Sequence, residues 1–270
     1  MDLATGLGIL IAFVGIVVGQ AIEGGSILQI IQPTAALIVF GGTLGATMIG
    51  FPIAVMKQAV GDLLHVFTEE KSEPTAVIEE IIKFTNKARR EGIISLEKDA
   101  ASVKDEFFRK AIMMAVDGSE PKELRQTMEM ELQYMEERGE YSAKFWEAAG
   151  GYAPTIGIIG AVLGLIQVMQ HLDDIEEVGK GIAVAFVATI YGVASANILF
   201  LPSAAKLKFK HRKHMIVKEM MLEGTLGILE GQNPRLIEGK LMSFLSEEHQ
   251  KKPLSSAAAG GGGDGKKKAA

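Results

Sequence analysis

Two uncharged arms joined by a short acidic link constrain this chain more than anything else in it. Gly150 to Leu172 reads GGYAPTIGIIGAVLGLIQVMQHL, the link is DDIEEVGK, and GIAVAFVATIYGVASANILF runs on to Phe200. As helices, arms of about 20 residues are long enough to cross a ~30 Å hydrocarbon layer. Neither reads as an ordinary lipid-soaked anchor. Ala153, Gly157, Gly160 and Gly164 recur at helical spacing in the first arm, and Ala185, Thr189, Gly192 and Ala196 in the second. Small stripes let helix backbones approach closely where the hydrophobic effect gives no help. For any single glycine, packing within one bundle is the commoner meaning. Two stripes carrying Thr155 and Thr189 would also suit the wall of a narrow ion path, or the socket of another helix.

Mean hydropathy is positive, yet 23% of the residues are charged. That mixture predicts membrane spans joined to a soluble part. The chain has no cysteine, which excludes a disulfide framework and a thiolate metal site or nucleophile. Its net charge of -5 gives no basic footprint for nucleic acid. Asp2 stands where a secretory signal needs a basic region, so the first apolar run is expected to be a retained span.

That run is Leu3 to Ile22. The second span is expected from about Thr34 to Met56, with Pro52 near its end accommodated by a kink. Gly15, Gly19, Gly41, Gly42, Gly45 and Gly50 are expected to pack these two spans against each other as a hairpin. Lys57 to Ala148 is densely charged and holds no apolar run long enough to span. Ser72-Glu73-Pro74 reads as a helix start, and Val77, Ile78, Ile81 and Ile82 as an amphipathic face. After the break at Asp117-Gly118-Ser119-Glu120-Pro121, a helix with Leu124, Met128, Leu132 and Met135 inward continues through Tyr141 into the third span. Trp146 and Tyr152 sit where interfacial aromatics belong. After Pro202 come Lys206, Lys208, Lys210, Arg212 and Lys213, which mark a cytoplasmic side. The third-to-fourth link carries four carboxylates against one lysine and fits the opposite side. Both termini and the long loop then lie in the cytoplasm.

Candidate chemistry is sparse. His211 and His214 could share a metal by spacing, but with no carboxylate or cysteine nearby they read as solvated histidines. Phosphate loops, nucleophile elbows and zinc-protease helices are absent, so neither an enzyme nor a cofactor is expected. No Asp, Glu, Lys or Arg lies inside a span, although such residues usually mark the function of a membrane protein. Thr155, Thr189, Tyr191, Ser195 and Asn197 remain. Their polar groups can bond to a carbonyl one turn back, and Thr189, on the small-residue stripe, could equally line a path.

Pro154-Thr155-Ile156-Gly157, Gly160-Ala161-Val162-Leu163-Gly164-Leu165 and Ala188-Thr189-Ile190-Tyr191-Gly192 followed by Pro202 resemble the two core membrane helices of the MotA/PomA family. Those proteins are the ion-channel stator subunits of the bacterial flagellar motor. The resemblance covers nearly the whole chain except its last twenty residues. It implies that Thr155, Ala161, Thr189 and Tyr191 line the channel, and that Pro154 and Pro202 couple it to motion of the cytoplasmic domain. It implies too that Arg89, Arg90 and Glu97 meet opposite charges on the rotor switch protein. Five such chains would surround two copies of a single-span MotB/PomB-type partner that grips peptidoglycan. Sodium-driven members carry Thr where Ala161 stands. A methyl group offers no oxygen to a dehydrated sodium ion, so proton coupling is expected. The proton-binding carboxylate must then come from the partner helix, seated against the stripes near Thr155 and Thr189.

The expected fold is an all-α membrane protein with four transmembrane helices, a helical cytoplasmic domain between the second and third spans, and a cytoplasmic carboxy-terminal helix. The divisions are 1–56, a membrane hairpin; 57–148, a rotor-interacting domain; 149–203, a channel-lining hairpin; 204–252, a helical segment; and 253–270, a disordered Gly/Ala/Lys tail. The expected function is a proton-driven stator subunit of the bacterial inner membrane, in contact with lipid. Two other readings stay open. A TolQ/ExbB-like energiser has one span before its large loop, where two are expected here. A passive scaffold would use its small-residue stripes only for packing.

Overall fold

The computed structural model describes residues 3–68 and 74–245. Asp2, the Ser72-Glu73 part of the helix start and the tail from 253 lie outside the described residues. Among those described the chain is helical, without strands. Four helices are long and apolar enough to cross a membrane: α1 (Leu3–Ile22), α2 (Pro33–Gly50), α6 (Pro121–Gln170) and α7 (Ile175–Leu229). Between them lie α3 (Ile53–Val66), α4 (Pro74–Glu91) and α5 (Glu106–Val116), and α8 (Pro234–Met242) follows. The chain forms two compact units, Met1–Lys71 with Tyr134–Lys213, and Ser72–Gln133 with His214–Ala270.

In the first unit Pro52 breaks the chain where a kink was expected. Phe51 is extended (φ -134°, ψ 140°) and Pro52 caps α3. A residue before proline is pushed out of the helical region, and here the preceding helix stops. The expected boundary at 56 therefore falls inside α3. That helix joins the membrane unit because its buried face, Ala59 and Val66, has partners there. Val66 packs with Ala143 and Leu207, Trp146 Nε1 donates to the Ala59 carbonyl at 3.0 Å, and Ser142 Oγ donates to Asp62 at 2.6 Å. Trp146 also stacks on Phe200, centroids 5.6 Å apart. Its ring and indole N–H pin α3 and α7 to α6.

The expected glycine packing between the first two spans is absent. A β-carbon on Gly15, Gly19, Gly41, Gly45 or Gly50 would meet nothing within 4 Å, and Gly42 abuts Ile156 of α6. α2 instead lies against α7, with Ala35 and Val39 packed on Val187 and Ala188. α1 has no buried residue. Thr5, Ile9 and Ala12 are only partly covered, since a span in hydrocarbon gains nothing from hydrophobic burial against another span.

The second unit holds an ordinary hydrophobic core. Ile78, Ile81 and Phe84 of α4, Phe108 and Ile112 of α5, Leu124 and Met128 of α6, Met220 of α7 and Ile237 of α8 are all buried. Phe84 stacks on Phe108 at 5.7 Å. Ion pairs staple its rim: Arg125 to Glu223 at 2.8 Å, Lys110 to Glu131 at 2.5 Å and Lys87 to Asp99 at 2.8 Å.

Candidate functional site

The two stripes face each other. A β-carbon on Gly157 would sit 2.9 Å from the Ala188 carbonyl, on Gly164 2.7 Å from the Gly181 carbonyl, and on Gly192 2.5 Å from the Ala153 carbonyl. The antiparallel arms of α6 and α7 thus touch backbone to backbone at these three glycines, where neither helix has room for a side chain. This overturns the expectation that a partner helix seats on the stripes, because the hairpin itself consumes them.

What the hairpin leaves open lies to one side. α2 covers one flank: Ile38 approaches Gly160, and Ile156 fills the space beside Gly42. At about 3.6 residues per turn, the opposite flank carries Pro154, Ile158, Ala161 and Leu165 from α6 and Ile182, Phe186, Thr189 and Val193 from α7. Phe186 is 70% exposed, Ile158 58% and Val193 46%, while Ala161 and Thr189 are half-buried. Thr189 lies level with Gly157, whose β-carbon would be 3.5 Å from the Thr189 Cα. Ala161 is one turn further along α6 on that flank. The structure therefore brings Ala161 and Thr189 onto one apolar, exposed surface whose hydroxyl is that of Thr189. This hydroxyl donates to the Ala185 carbonyl at 3.2 Å, which leaves its oxygen able to accept.

Thr155 and Tyr191 do not join this surface. Thr155, six residues before Ala161, points about 120° away around α6. It is exposed and donates to the Tyr152 carbonyl at 2.8 Å. Tyr191 turns toward α2, stacks on Phe40 with centroids 6.0 Å apart, donates to the Ile30 carbonyl at 2.6 Å and accepts from the Gln32 amide at 3.2 Å. Its hydroxyl is spent on clamping the turn before α2, away from the flank that bears Ala161 and Thr189. No pattern in the sequence links Tyr191 to a backbone so distant along the chain.

Pro154 lies inside α6. Before Pro202, α7 widens into a π-helical segment, Ser195–Phe200, because proline offers no amide to the carbonyl one turn back. Ser195 and Asn197 donate to the Gly192 and Val193 carbonyls at 3.2 and 2.9 Å, as local bonding predicts. In the outer link, Asp174 caps α7 through the Glu176 and Glu177 amides. Lys180 pairs with Glu176 and Glu177 at 2.9 Å each. His211 packs its ring on Gly139 and meets the Glu136 carbonyl at 3.2 Å, so it is seated and not simply solvated as expected.

In the second unit, Arg89 and Arg90 end α4, Gly92 turns the chain at φ 85°, and Glu97 opens the next helical turn. All three charged residues are exposed. Beneath them the Lys87–Asp99 pair braces the turn.

A profile of the MotA/TolQ/ExbB proton channel family matches residues 99–220, and one for the motility protein A amino-terminal region matches residues 6–92. Motility protein A of Bacillus subtilis is 40% identical over 249 residues, covering 91% of each chain. A solved structure of the C. jejuni MotAB complex superposes with a TM-score of 0.88 at 35% identity, over 96% of this chain and all of that one. The flagellar MotAB stator complex from Bacillus subtilis gives 0.84 at 37% identity, covering 93% of this chain and 98% of that chain. The chain belongs to the MotA/TolQ/ExbB proton channel family, as a multi-pass inner-membrane subunit of the motility protein A kind.

Proposed function

We propose that this chain is the channel-forming subunit of a flagellar stator and works with a single-span, peptidoglycan-anchored partner of the MotB type. One observation carries the reading. The open flank beside the α6–α7 seam is apolar and holds the Thr189 hydroxyl and the Ala161 methyl, but no titratable group. A proton crossing this depth needs a carboxylate or an open water wire, and a permanent wire would dissipate the gradient. The partner helix supplies the carboxylate, and partial burial against Phe186 and Val193 raises its pKa toward neutrality. Thr189 is the acceptor beside it. Ala161, offering no oxygen, favours protons over sodium. The strip that bears Thr155 is the other exposed face an assembly must cover, by a further copy or the partner, with five copies around two partners as the family resemblance implies.

In this reading the segment after Pro202, both termini and the second unit are cytoplasmic, and the acidic link is outside, where it gathers cations. Arg89, Arg90 and Glu97 meet the rotor switch protein, and Pro154 and Pro202 let the helices bend as the partner's carboxylate changes charge. The cysteine-free chain permits a single-cysteine series as the test. A cysteine at Phe186 should cross-link to one beside the partner's carboxylate, and a cysteine at Val187, buried against α2, should not. Impermeant reagent added outside should label Glu176→Cys and spare Lys98→Cys, both positions being exposed. Cross-linking through position 187 but not 186 would move the partner to another face, and external labelling at position 98 would invert the topology.

A further inference from the structure

We infer that a cleft between α1 and the inner end of the α7 span is a binding site for an anionic phospholipid. The inference rests on the orientation proposed above. The cleft measures about 410 Å³ and is walled by Gly8 and Ala12 of α1, Ile198, Ser203 and Lys206 of α7, and Val66 at the end of α3. All of these belong to the membrane unit. The cleft runs along α1 from Ala4 to Ala12, eight residues or about 12 Å of helix. That is the dimension of an upper acyl chain lying against the span.

Its two ends differ in chemistry. The deep end is mostly apolar, with Ile9, Ala12 and Ile198 beside Asn197, whose amide donates to the Val193 carbonyl at 2.9 Å. At the other end Lys206 forms part of the wall, and Ser203, only 5% exposed, adds a hydroxyl beside it. Lys210, one turn beyond Lys206, bonds to the His65 and Thr68 carbonyls on either side of Val66, which brings a second ammonium to that rim. Arg212 and Lys213 follow in the same run. An ammonium has three donors, so Lys206 can serve a phosphate alongside any partner within the chain. An apolar slot closed by a cationic rim at the inner boundary of the membrane complements one occupant, an acyl chain joined to an anionic headgroup. α1 buries no residue against the rest of the chain, so in the proposed orientation such a molecule reaches the cleft from the bilayer.

The experiment uses the intact chain with its partner, purified in mild detergent, with retained lipid counted by native mass spectrometry. Phosphatidylglycerol and phosphatidylcholine are offered in equal amounts. The unaltered complex should retain phosphatidylglycerol preferentially. Lys206→Gln should cut that preference about fivefold, the equivalent of ~1 kcal/mol for one lysine near an anionic surface. Gly8→Leu fills the slot at a position where a β-carbon meets nothing within 4 Å, and should reduce retention of both lipids while the complex keeps its mass. Equal retention of the two lipids by the unaltered complex overturns the proposal. So does unchanged phosphatidylglycerol retention by Gly8→Leu. A complex that loses subunits in Gly8→Leu with its lipid count intact also overturns it, because the cleft then holds a second copy of the chain. Lipid retention is read without reference to sidedness, so it separates this proposal from a failure of the topology.

Discussion

Gly192 and Gly224 both lie within α7, and a β-carbon on either would find the space taken. At Gly192 the obstacle is backbone, the Ala153 carbonyl at 2.5 Å. At Gly224 it is a side chain, with Ile81 Cδ1 and Cγ2 each at 2.7 Å. The first belongs to the membrane unit and the second to the unit with the ordinary core. In lipid, helices attract by close packing and have no hydrophobic effect to draw on, so the seam is built from main chain held at van der Waals distance. In water, burial of Ile, Phe and Leu supplies the drive, and a glycine makes room for a neighbouring side chain. One seam is rigid because nothing in it can rotate away; the other can repack.

This contrast breaks if the two glycines respond alike. Gly192→Ala should have the largest effect, preventing the α6–α7 hairpin from closing and removing folded protein from the membrane. Gly224→Ala should cost about 1–3 kcal/mol, as overpacking does where side chains can shift. Gly151→Ala, with nothing within 4 Å, should be neutral or stabilise by up to about 1 kcal/mol through helix propensity. Folded yield in gel filtration and thermal melts of the solubilised chain rank the three. A Gly192→Ala protein that accumulates and melts normally would dissolve the distinction.

The soluble unit makes its own use of charge. Lys218 is 5% exposed and donates to Asp105 at 2.5 Å. Asp105 also caps α5 through the Phe108 amide at 3.1 Å. Burial pushes the Asp105 carboxyl up. The Lys218 and Phe108 hydrogen bonds and the charges of Lys218 and His214 more than offset this, and hold it below the usual carboxylate range. Glu80 shifts the other way, raised first by burial and further by the charge of Asp105, against the lowering charge of Lys83. A depressed carboxyl contributes stability that is complete above its unfolded pKa and lost as pH falls through the lower, folded one. Asp105→Asn leaves Lys218 buried without its counter-charge and should cost about 3–5 kcal/mol at neutral pH. The deficit should shrink as the unaltered protein is acidified below the ordinary aspartate range. Melting of the second unit followed across pH checks this, and a deficit independent of pH would mean that the pair does not control stability there.

Smaller again is the expected effect at the exposed turn. Single surface charges contribute about 0–1 kcal/mol, so Arg89→Glu should leave the melt unchanged and weaken swimming partially. A compensating reversal on the rotor should restore it. Full torque from stable Arg89→Glu protein removes Arg89 from the interface.

The long helix through Trp146 into the third span was legible because its apolar pattern changes register with no breaker between. The α1 boundaries were legible because an uncharged run of that length has few alternatives. The break at Pro52 was not, since a proline late in a span either kinks or ends it according to what Phe51 can adopt. The stripes were legible as close-packing surfaces but not as to their partner, because glycine spacing says how near a helix comes and not which helix comes. The roles of Tyr191, clamped to Ile30 and Gln32, and of Lys218, paired with Asp105, depend on contacts between distant parts of the chain. One looks like a channel tyrosine and the other like one more cation after a basic run.

The central claim is that the open flank at Ala161 and Thr189 becomes a proton path only when a partner helix brings a carboxylate to it. Proton flux into liposomes, measured with a pH-sensitive dye under an imposed gradient, tests this most directly. The account predicts that the chain alone assembles without conducting, that the chain with its partner conducts, and that Thr189→Leu blocks flux while leaving the complex intact. Strong proton conductance from the chain alone, or undiminished flux through Thr189→Leu, would contradict it.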